Sequence, residues 1–438
     1  MMLSGWGNYP RAECRTLRWR DAADLSAIVA NEPRLIARGL GRAYGDAALQ
    51  PEATISMLGH DRILAFDEES GRITCESGVT LGDLLSVFVP RGWFPPVTPG
   101  TRHVTLGGMI ASDVHGKNHH KCGSFSRHVE ALELMLADGS VVRCSPLENP
   151  DLFEATCGGM GLTGLILTAT FAMIPIETAW IRQETIRTHS LQEMMQAFED
   201  SSAWTYTVAW IDCHAKGDAL GRGLLFRGEH ATRDETREVS SHPLAIPKRR
   251  QVSIPTDLPM TVLNRMTVGA FNELYWRRGR PGTRFVPYDA YFYPLDSVLH
   301  WNRIYGRKGF VQYQCVLPKN ESALGLKRLL AAAEKAGTGS FLAVLKLLGP
   351  QDGMLAFPFE GYTIALDFPV STRLTPLLDE MDQIVAEHGG RLYLAKDSRS
   401  RPDQIRRGYR RLDEFAQVRD RFDSAHRFSS LLSERLAL

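Results

Sequence analysis

The chain has no long hydrophobic run. Nowhere do about 18 uninterrupted apolar residues occur, so a membrane-spanning helix is not expected. A basic start followed by an apolar stretch is missing too, since the N-terminus reads MMLSGWGNYPRAEC, and no secretory leader is expected. Cysteine pairing is equally poor. Cys14, Cys75, Cys122, Cys144, Cys157, Cys213 and Cys315 are odd in number, scattered and never in a C-x-x-C pair. That argues against a disulfide framework or a zinc site and for reduced thiols in the cytoplasm. Nor is there an excess of charge of one sign: 51 Lys and Arg nearly cancel 50 Asp and Glu. No global field would recruit nucleic acid, and an anionic ligand has to be held locally.

What is present is the composition of a globular enzyme, 438 residues with 44% hydrophobic and 23% charged side chains, long enough for two domains. From residue 34 to about 175, short apolar β-type runs alternate with glycine-rich turns, among them RITCESGVTL, VTLGGMIASDVHG and GLTGLILTATFAMI. One helix is predicted inside this region at Leu81 to Phe88, and FEATCGGMGLTG reads as a short helix broken by glycines. Around 176 to 200 the pattern changes to polar strand and helix, the expected start of a second domain. Residues 232 to 287, with Pro243, Pro247, Pro255, Pro259, Pro281 and Pro287, read as an irregular lid or binding segment. Strands follow at 310 to 318, 341 to 349 and 362 to 370, helices at 323 to 337 and 374 to 390, and a last strand in RLYLAKD. This order predicts an antiparallel sheet backed by helices, so the fold class is α+β. No repeat is visible.

Three glycine-bearing segments carry candidate chemistry. In RGLGRAYGD, Arg38 to Asp46, closely spaced glycines allow successive N–H groups to converge on phosphate oxygens, with Arg38 and Arg42 supplying charge. A glycine-rich hairpin fits the pattern equally well, and it is not the G-x-G-x-x-G helix opening of a nicotinamide site. In PGTRHVTLGGMIASDVHGKNHHKCGS, Pro99 to Ser124, small residues let backbone pass against a flat ring. The histidines of its HGKNHH cluster have no acidic ligands in an evident geometry, so no metal is expected. GGMGLTGLI alone reads as a tight turn before a core strand. Gln312 and Gln314 share one strand face, and Lys346 interrupts an apolar strand where an unpaired charge is costly.

Together the three segments resemble the FAD-binding half of the vanillyl-alcohol-oxidase, or p-cresol-methylhydroxylase (PCMH), type flavoproteins. A closer resemblance, to the family of decaprenylphosphoryl-ribose 2-oxidases, spans nearly the whole chain. It rests on SGWGNYP, ARGLGRAYGD, PGTRHVTLGGMIASDVHGKNHH, GGMGLTG, WNRIYG, FVQYQ, VLKLLGP, DFP and GGRLYLAKDSR. The resemblance implies a two-domain fold, with residues 1–178 plus 391–438 holding the cofactor and 179–390 forming an antiparallel-sheet substrate domain. It implies cofactor contacts from Ala37, Arg38, Gly39, Leu40, Gly41, Arg42, Ala43, Tyr44, Gly45 and Asp46 in the first loop. Further ones come from Pro99, Gly100, Thr101, Thr105, Leu106, Gly107, Gly108, Ser112, Asp113, Val114, His115 and Asn118, and from Gly161, Ile166 and Tyr393. Catalysis would fall to Lys396, Tyr44 and His115, and the substrate to Lys117, Gln312, Gln314, Lys346, Thr363, Ala365 and Lys396.

The implied reaction oxidises the 2′-hydroxyl of a polyprenylphosphoryl ribose to a keto sugar, with quinone or oxygen as electron acceptor. A separate NAD(P)H-dependent short-chain reductase would complete an epimerisation that serves arabinan and the cell wall. The protein would be cytoplasmic with peripheral membrane contact at the 232–287 segment. Two departures stand out. Ala365 occupies the place of a cysteine that covalent inhibitors attack in well-known members, and Thr363 and Met160 replace asparagines. Gly41-Arg42-Ala43-Tyr44 offers no histidine to tether the flavin, so FAD is expected to be non-covalent. Oxidation of a soluble sugar or alditol is the alternative activity, and a non-catalytic flavin-binding subunit the alternative class.

Overall fold

The computed structural model describes residues 1–246, 251–259, 263–337 and 342–438. Two larger sheets build the N-terminal half, beside the two-stranded pairs Met2–Ser4 with Arg11–Glu13 and Trp93–Phe94 with Ile174–Pro175. A short parallel sheet joins Thr16–Leu17, Thr54–Ser56 and Ile36–Arg38. An antiparallel sheet runs in the order Val141–Cys144, Val129–Met135, Leu165–Ala172, Arg72–Glu76 and Ile63–Phe66. The predicted helix Leu81–Phe88 is present, opened by a reciprocal capping box between Thr80 and Asp83. Its Leu81, Leu84, Leu85 and Phe88 recur at helical spacing and pack with Ile73, Leu134 and Phe171 in one core. Each such buried side chain contributes about 1.5–3 kcal/mol. The C-terminal segment returns to this half: Leu35 N–H donates to Arg427 O, and Ser429 N–H to Leu35 O.

The second half is one eight-stranded antiparallel sheet. Its strands are β1 (Trp180–Thr188), β2 (Tyr206–Ile211), β3 (Gly223–His230), β4 (Gly282–Pro287), β5 (Phe310–Pro318), β6 (Ala343–Leu348), β7 (Gly361–Pro369) and β8 (Arg391–Leu392), ordered β4-β1-β3-β2-β6-β7-β5-β8. Although the sequence shows no repeat, the sheet does. From the β2/β6 seam outwards, β2-β3-β1-β4 mirrors β6-β7-β5-β8. The helix α1 (Leu191–Glu199) follows β1 as α3 (Ser322–Ala336) follows β5, and α4 (Leu374–Glu387) follows β7. These three helices cover one face, against alternate residues such as Tyr313, Cys315, Leu345, Ile364 and Leu366. The intervening residues are thereby turned to the other face, which meets the N-terminal half.

Several elements depart from expectation. Leu106–Ala111, in the stretch read as β-type, is a helix that buries Leu106, Met109 and Ile110 at i, i+3 and i+4. The 232–287 segment is not irregular throughout, for it contains the helix α2 (Arg265–Arg278), capped by Asn264 and Thr267, as well as β4. RLYLAKD keeps strand form only at Arg391–Leu392 and then turns at Leu394–Lys396. The strand expected from 341 begins at Ala343; residue 341 and Pro247 lie outside the described residues. The C-terminal charged stretch is helical at Pro402–Gly408 and Leu412–Phe422, and within it Arg419 is buried and donates to Phe428 O at 2.6 Å.

Candidate active site

In antiparallel pairs, residues directly opposite each other share a face. Gln312 lies opposite Asp367, Gln314 opposite Ala365, and Thr363 opposite Lys346. These six side chains therefore form one polar wall on the face turned to the N-terminal half. Gln314 Nε2 donates to Thr363 Oγ1 at 3.2 Å and to His115 Nε2 at 3.0 Å. Accepting at Nε2 places the histidine proton on Nδ1, which is buried and without a partner. Burial, with Lys346 next, holds His115 well below its usual pKa, so the ring is neutral.

The turn after β8 supplies Lys396, whose Nζ stands 3.7 Å over the Tyr44 ring. Tyr44 N–H donates to Ala395 O at 3.0 Å, and a Cβ on Gly45 would meet Asp397 O at 1.8 Å, so the first glycine loop presses directly on this turn. Arg435 clamps both sides, at 2.8 Å from Asp46 Oδ1 and 2.9 Å from Asp397 Oδ2. Lys396 is pulled down to about 7 by burial, opposed by Asp367 and assisted by Lys346. Lys117 is pushed to about 7 by burial and Lys346, and Lys346 to about 8 by burial. Among the described residues no carboxylate lies within 4.0 Å of these three amines. Lys117 Nζ instead rests 4.2 Å over the Tyr291 ring and donates to the Tyr291 carbonyl.

Asp367 is the residue that sequence reasoning missed. It is fully buried, takes Gln312 Nε2 at 2.6 Å and Tyr305 OH at 3.4 Å, and burial raises it to about 7. Its signal was a lone carboxylate inside the apolar strand YTIALDFP, the mirror image of the argument made for Lys346.

The expected cofactor segments bring bare glycine backbone together, most of it closely packed and open at Gly100. Gly41 and Gly161 have φ of 65° and 79°, where glycine is favoured, and a Cβ on Gly100 would meet nothing within 4 Å. Gly39 packs on Thr105, and Gly107 on Ser77, whose buried hydroxyl lacks a partner. Tyr393 OH donates to Ser112 O at 2.7 Å and its ring stacks on Phe357. Such glycine-edged space with orphaned polar atoms suits a flat, phosphate-bearing cofactor. Some candidates are already engaged elsewhere. Arg38 donates to Ser4 O and Ala48 O, Arg42 covers Trp6, Thr101 binds Asp296, Asn118 binds Pro96 O, and Asp113 takes Gln351 and Ser126. Leu106 and Ile166 are buried core residues. Met160 has a φ of 54°, a conformation asparagine accepts more readily than methionine. The HGKNHH ring nitrogens diverge, His119 to Gln351 and Gly349, His120 to Trp204 O.

Comparison with known proteins agrees with this geometry. Residues 16–145 match the FAD binding domain family, which makes the chain a flavoprotein of the PCMH type. Decaprenylphosphoryl-β-D-ribose oxidase of Mycolicibacterium smegmatis is 37% identical over 448 residues, covering 100% of this chain and 97% of that protein. The chain belongs to the decaprenylphosphoryl-β-D-ribose oxidase family. Human Δ(24)-sterol reductase is 38% identical over only 113 residues, 26% of this chain and 22% of that protein. Mouse L-gulonolactone oxidase is 35% identical over 137 residues, 31% of each.

Proposed function

We propose that this flavoprotein oxidises the 2′-hydroxyl of a polyprenylphosphoryl-β-D-ribose to the 2′-keto sugar. The observation that carries the reading is the convergence of three buried lysines, without a carboxylate at contact distance, on an amide-lined wall. Buried cations of this kind need an anion, and the phosphodiester of the substrate supplies one. Lys117 and Lys346 take the phosphate; Gln312, Gln314 and Thr363 hydrogen-bond the sugar, and Ala365 leaves room for it. Lys396, depressed to about 7, has its neutral form within reach at physiological pH, and that form accepts the hydroxyl proton. Neutral His115 offers its Nδ1 proton as a fixed donor. FAD, held by the Arg38–Asp46, Pro99–Asn118 and Gly161 segments without a covalent link, would accept the hydride from the carbinol carbon.

The chain carries no nicotinamide fingerprint, so reduction of the ketone to the arabinose epimer falls to a separate NAD(P)H-dependent short-chain reductase. Quinone or oxygen would serve as the final electron acceptor. The test is anaerobic mixing of the holoprotein with polyprenylphosphoryl ribose, in parallel with free ribose and alditols, following flavin absorbance. Bleaching by the lipid-linked sugar alone, slowed at least about 100-fold in Lys396→Met with FAD retained, is expected. Bleaching by free polyols would make it a soluble-sugar oxidase, and bleaching by neither would refute the sugar-oxidase reading.

A further inference from the structure

Helix α2 presents its solvent side in an unusual way. Its inward side buries Val268 and Asn272 and sets the Tyr275 ring 4.8 Å from Trp210. On the outward side Met266, Ala270 and Leu274 recur every four residues, and Phe271 stacks on Tyr275 beside them, 5.8 Å between centroids. Met266 is 83% exposed, Leu274 48% and Phe271 46%. Single exposed apolar residues are ordinary, but these adjoin on one helix side and form a patch.

The charge around that patch is mainly positive. Residues 265–284 contain five arginines, Arg265, Arg277, Arg278, Arg280 and Arg284, against the single acid Glu273. The Glu273 carboxylate is already taken by Arg222 and Arg277, at 2.5 Å each. Arg265 pairs with Glu334 at 2.7 Å and Arg277 with Glu273, but among the described residues Arg278, Arg280 and Arg284 have no acid within 4.0 Å, and these three complement a continuous anionic surface better than the particular carboxylates of a protein partner.

The position of α2 connects this surface to the site. Trp210, under Tyr275, lies opposite Val344, which lies opposite Ala365 on the wall already described. We infer that the outward face of α2 docks on an anionic phospholipid bilayer and so sets the sugar-binding face of the sheet beside the membrane. The apolar ridge would sit at the acyl boundary with the arginines among the headgroups. Lipid binding stands on the helix itself; its use rests on the reading that the substrate is carried by a lipid.

The experiment is co-sedimentation of the holoprotein with vesicles of equimolar phosphatidylglycerol and phosphatidylcholine, with no polyprenyl sugar present. Binding is expected to weaken with salt, to fall about fivefold per arginine in Arg278→Gln and Arg280→Gln, and to be lost in Met266→Glu with Leu274→Glu. The variants should keep wild-type melting, flavin content and flavin reduction by a water-soluble short-prenyl analogue. Absence of vesicle binding, equal binding by the variants, or equal binding to pure phosphatidylcholine would overturn the inference. Vesicle binding without bleaching by any polyprenyl sugar would leave the docking intact and refute only the proposed substrate.

Discussion

Replacing Asp367 by asparagine separates charge from shape at the centre of the site. The amide keeps an oxygen for Gln312 Nε2, now 2.6 Å away, and offers its nitrogen to the Tyr305 oxygen at 3.4 Å, so the wall should stay in place. What disappears is a negative charge that raises Lys396 against its burial. In the wild type, burial pushes Asp367 up to about 7 and Lys396 down to about 7, so near neutrality the two titrate as one unit. A nearby opposite charge favours the protonated amine, and its loss lets Lys396 fall further. With the neutral amine in its proposed role of proton acceptor, the rate of anaerobic flavin reduction should rise as pH passes the Lys396 pKa. Asp367→Asn should therefore move that rise to lower pH, giving a larger fraction of its own plateau at about pH 6 than the wild type reaches. Stopped-flow reduction across the pH range, on protein shown to retain FAD, measures this directly. A rise that stays near 7 or moves to higher pH would refute the assignment of Lys396 as acceptor.

Two further outcomes follow from the same charges. Lys117, Lys346 and Lys396 hold depressed pKa values in the folded protein, so between about 7 and the free-lysine value near 10.4 the unfolded chain binds more protons and stability rises with pH. Lys346→Met should flatten that rise above about pH 8 and increase stability below it, read from thermal melts across pH; an unchanged slope would refute the burial argument. Arg435→Met leaves Asp46 and Asp397, both almost fully buried, without their cation and should cost about 3–5 kcal/mol in a denaturant melt with release of FAD.

How much of this was legible depends on the range over which the determining interactions act. Leu81–Phe88 could be read because its cap and apolar spacing lie within nine residues, and Gln312 with Gln314 because strand alternation is strictly local. Helix α2 was hidden because its apolar residues face outward among prolines and arginines, so no core-facing stripe announces it. Leu106–Ala111 was hidden because two glycines and a small-residue stretch mimic a turn. No local pattern points to Arg435, whose partners lie 389 and 38 positions away, nor to the mirror relation of the two half-sheets, which is a matter of pairing and not of residue type. The α+β class and the flavin family, by contrast, rest on short segments whose backbone needs glycine.

The division between the halves also explains why partial similarity is uninformative about substrate. A sterol reductase and a lactone oxidase share about a quarter to a third of this chain, whereas the family resemblance covers all of it, including the eight-stranded sheet. In the proposed reading the wall of that sheet selects through protons as well as shape. An anion settling between Lys117 and Lys346 raises both pKa values, because it favours the charged amines that burial disfavours. Lys396 lies beside Tyr44 and Asp367, and Lys346, once reprotonated, opposes the pull of the anion on it, so its proposed acceptor role is kept. Binding of a polyprenylphosphoryl sugar at about pH 8 should accordingly take up protons from solution, seen as a calorimetric heat that varies with buffer ionisation enthalpy. Free ribose, lacking the phosphate, should show no such dependence; equal proton uptake by both ligands would separate the lysines from the phosphate and undo the assignment of Lys117 and Lys346.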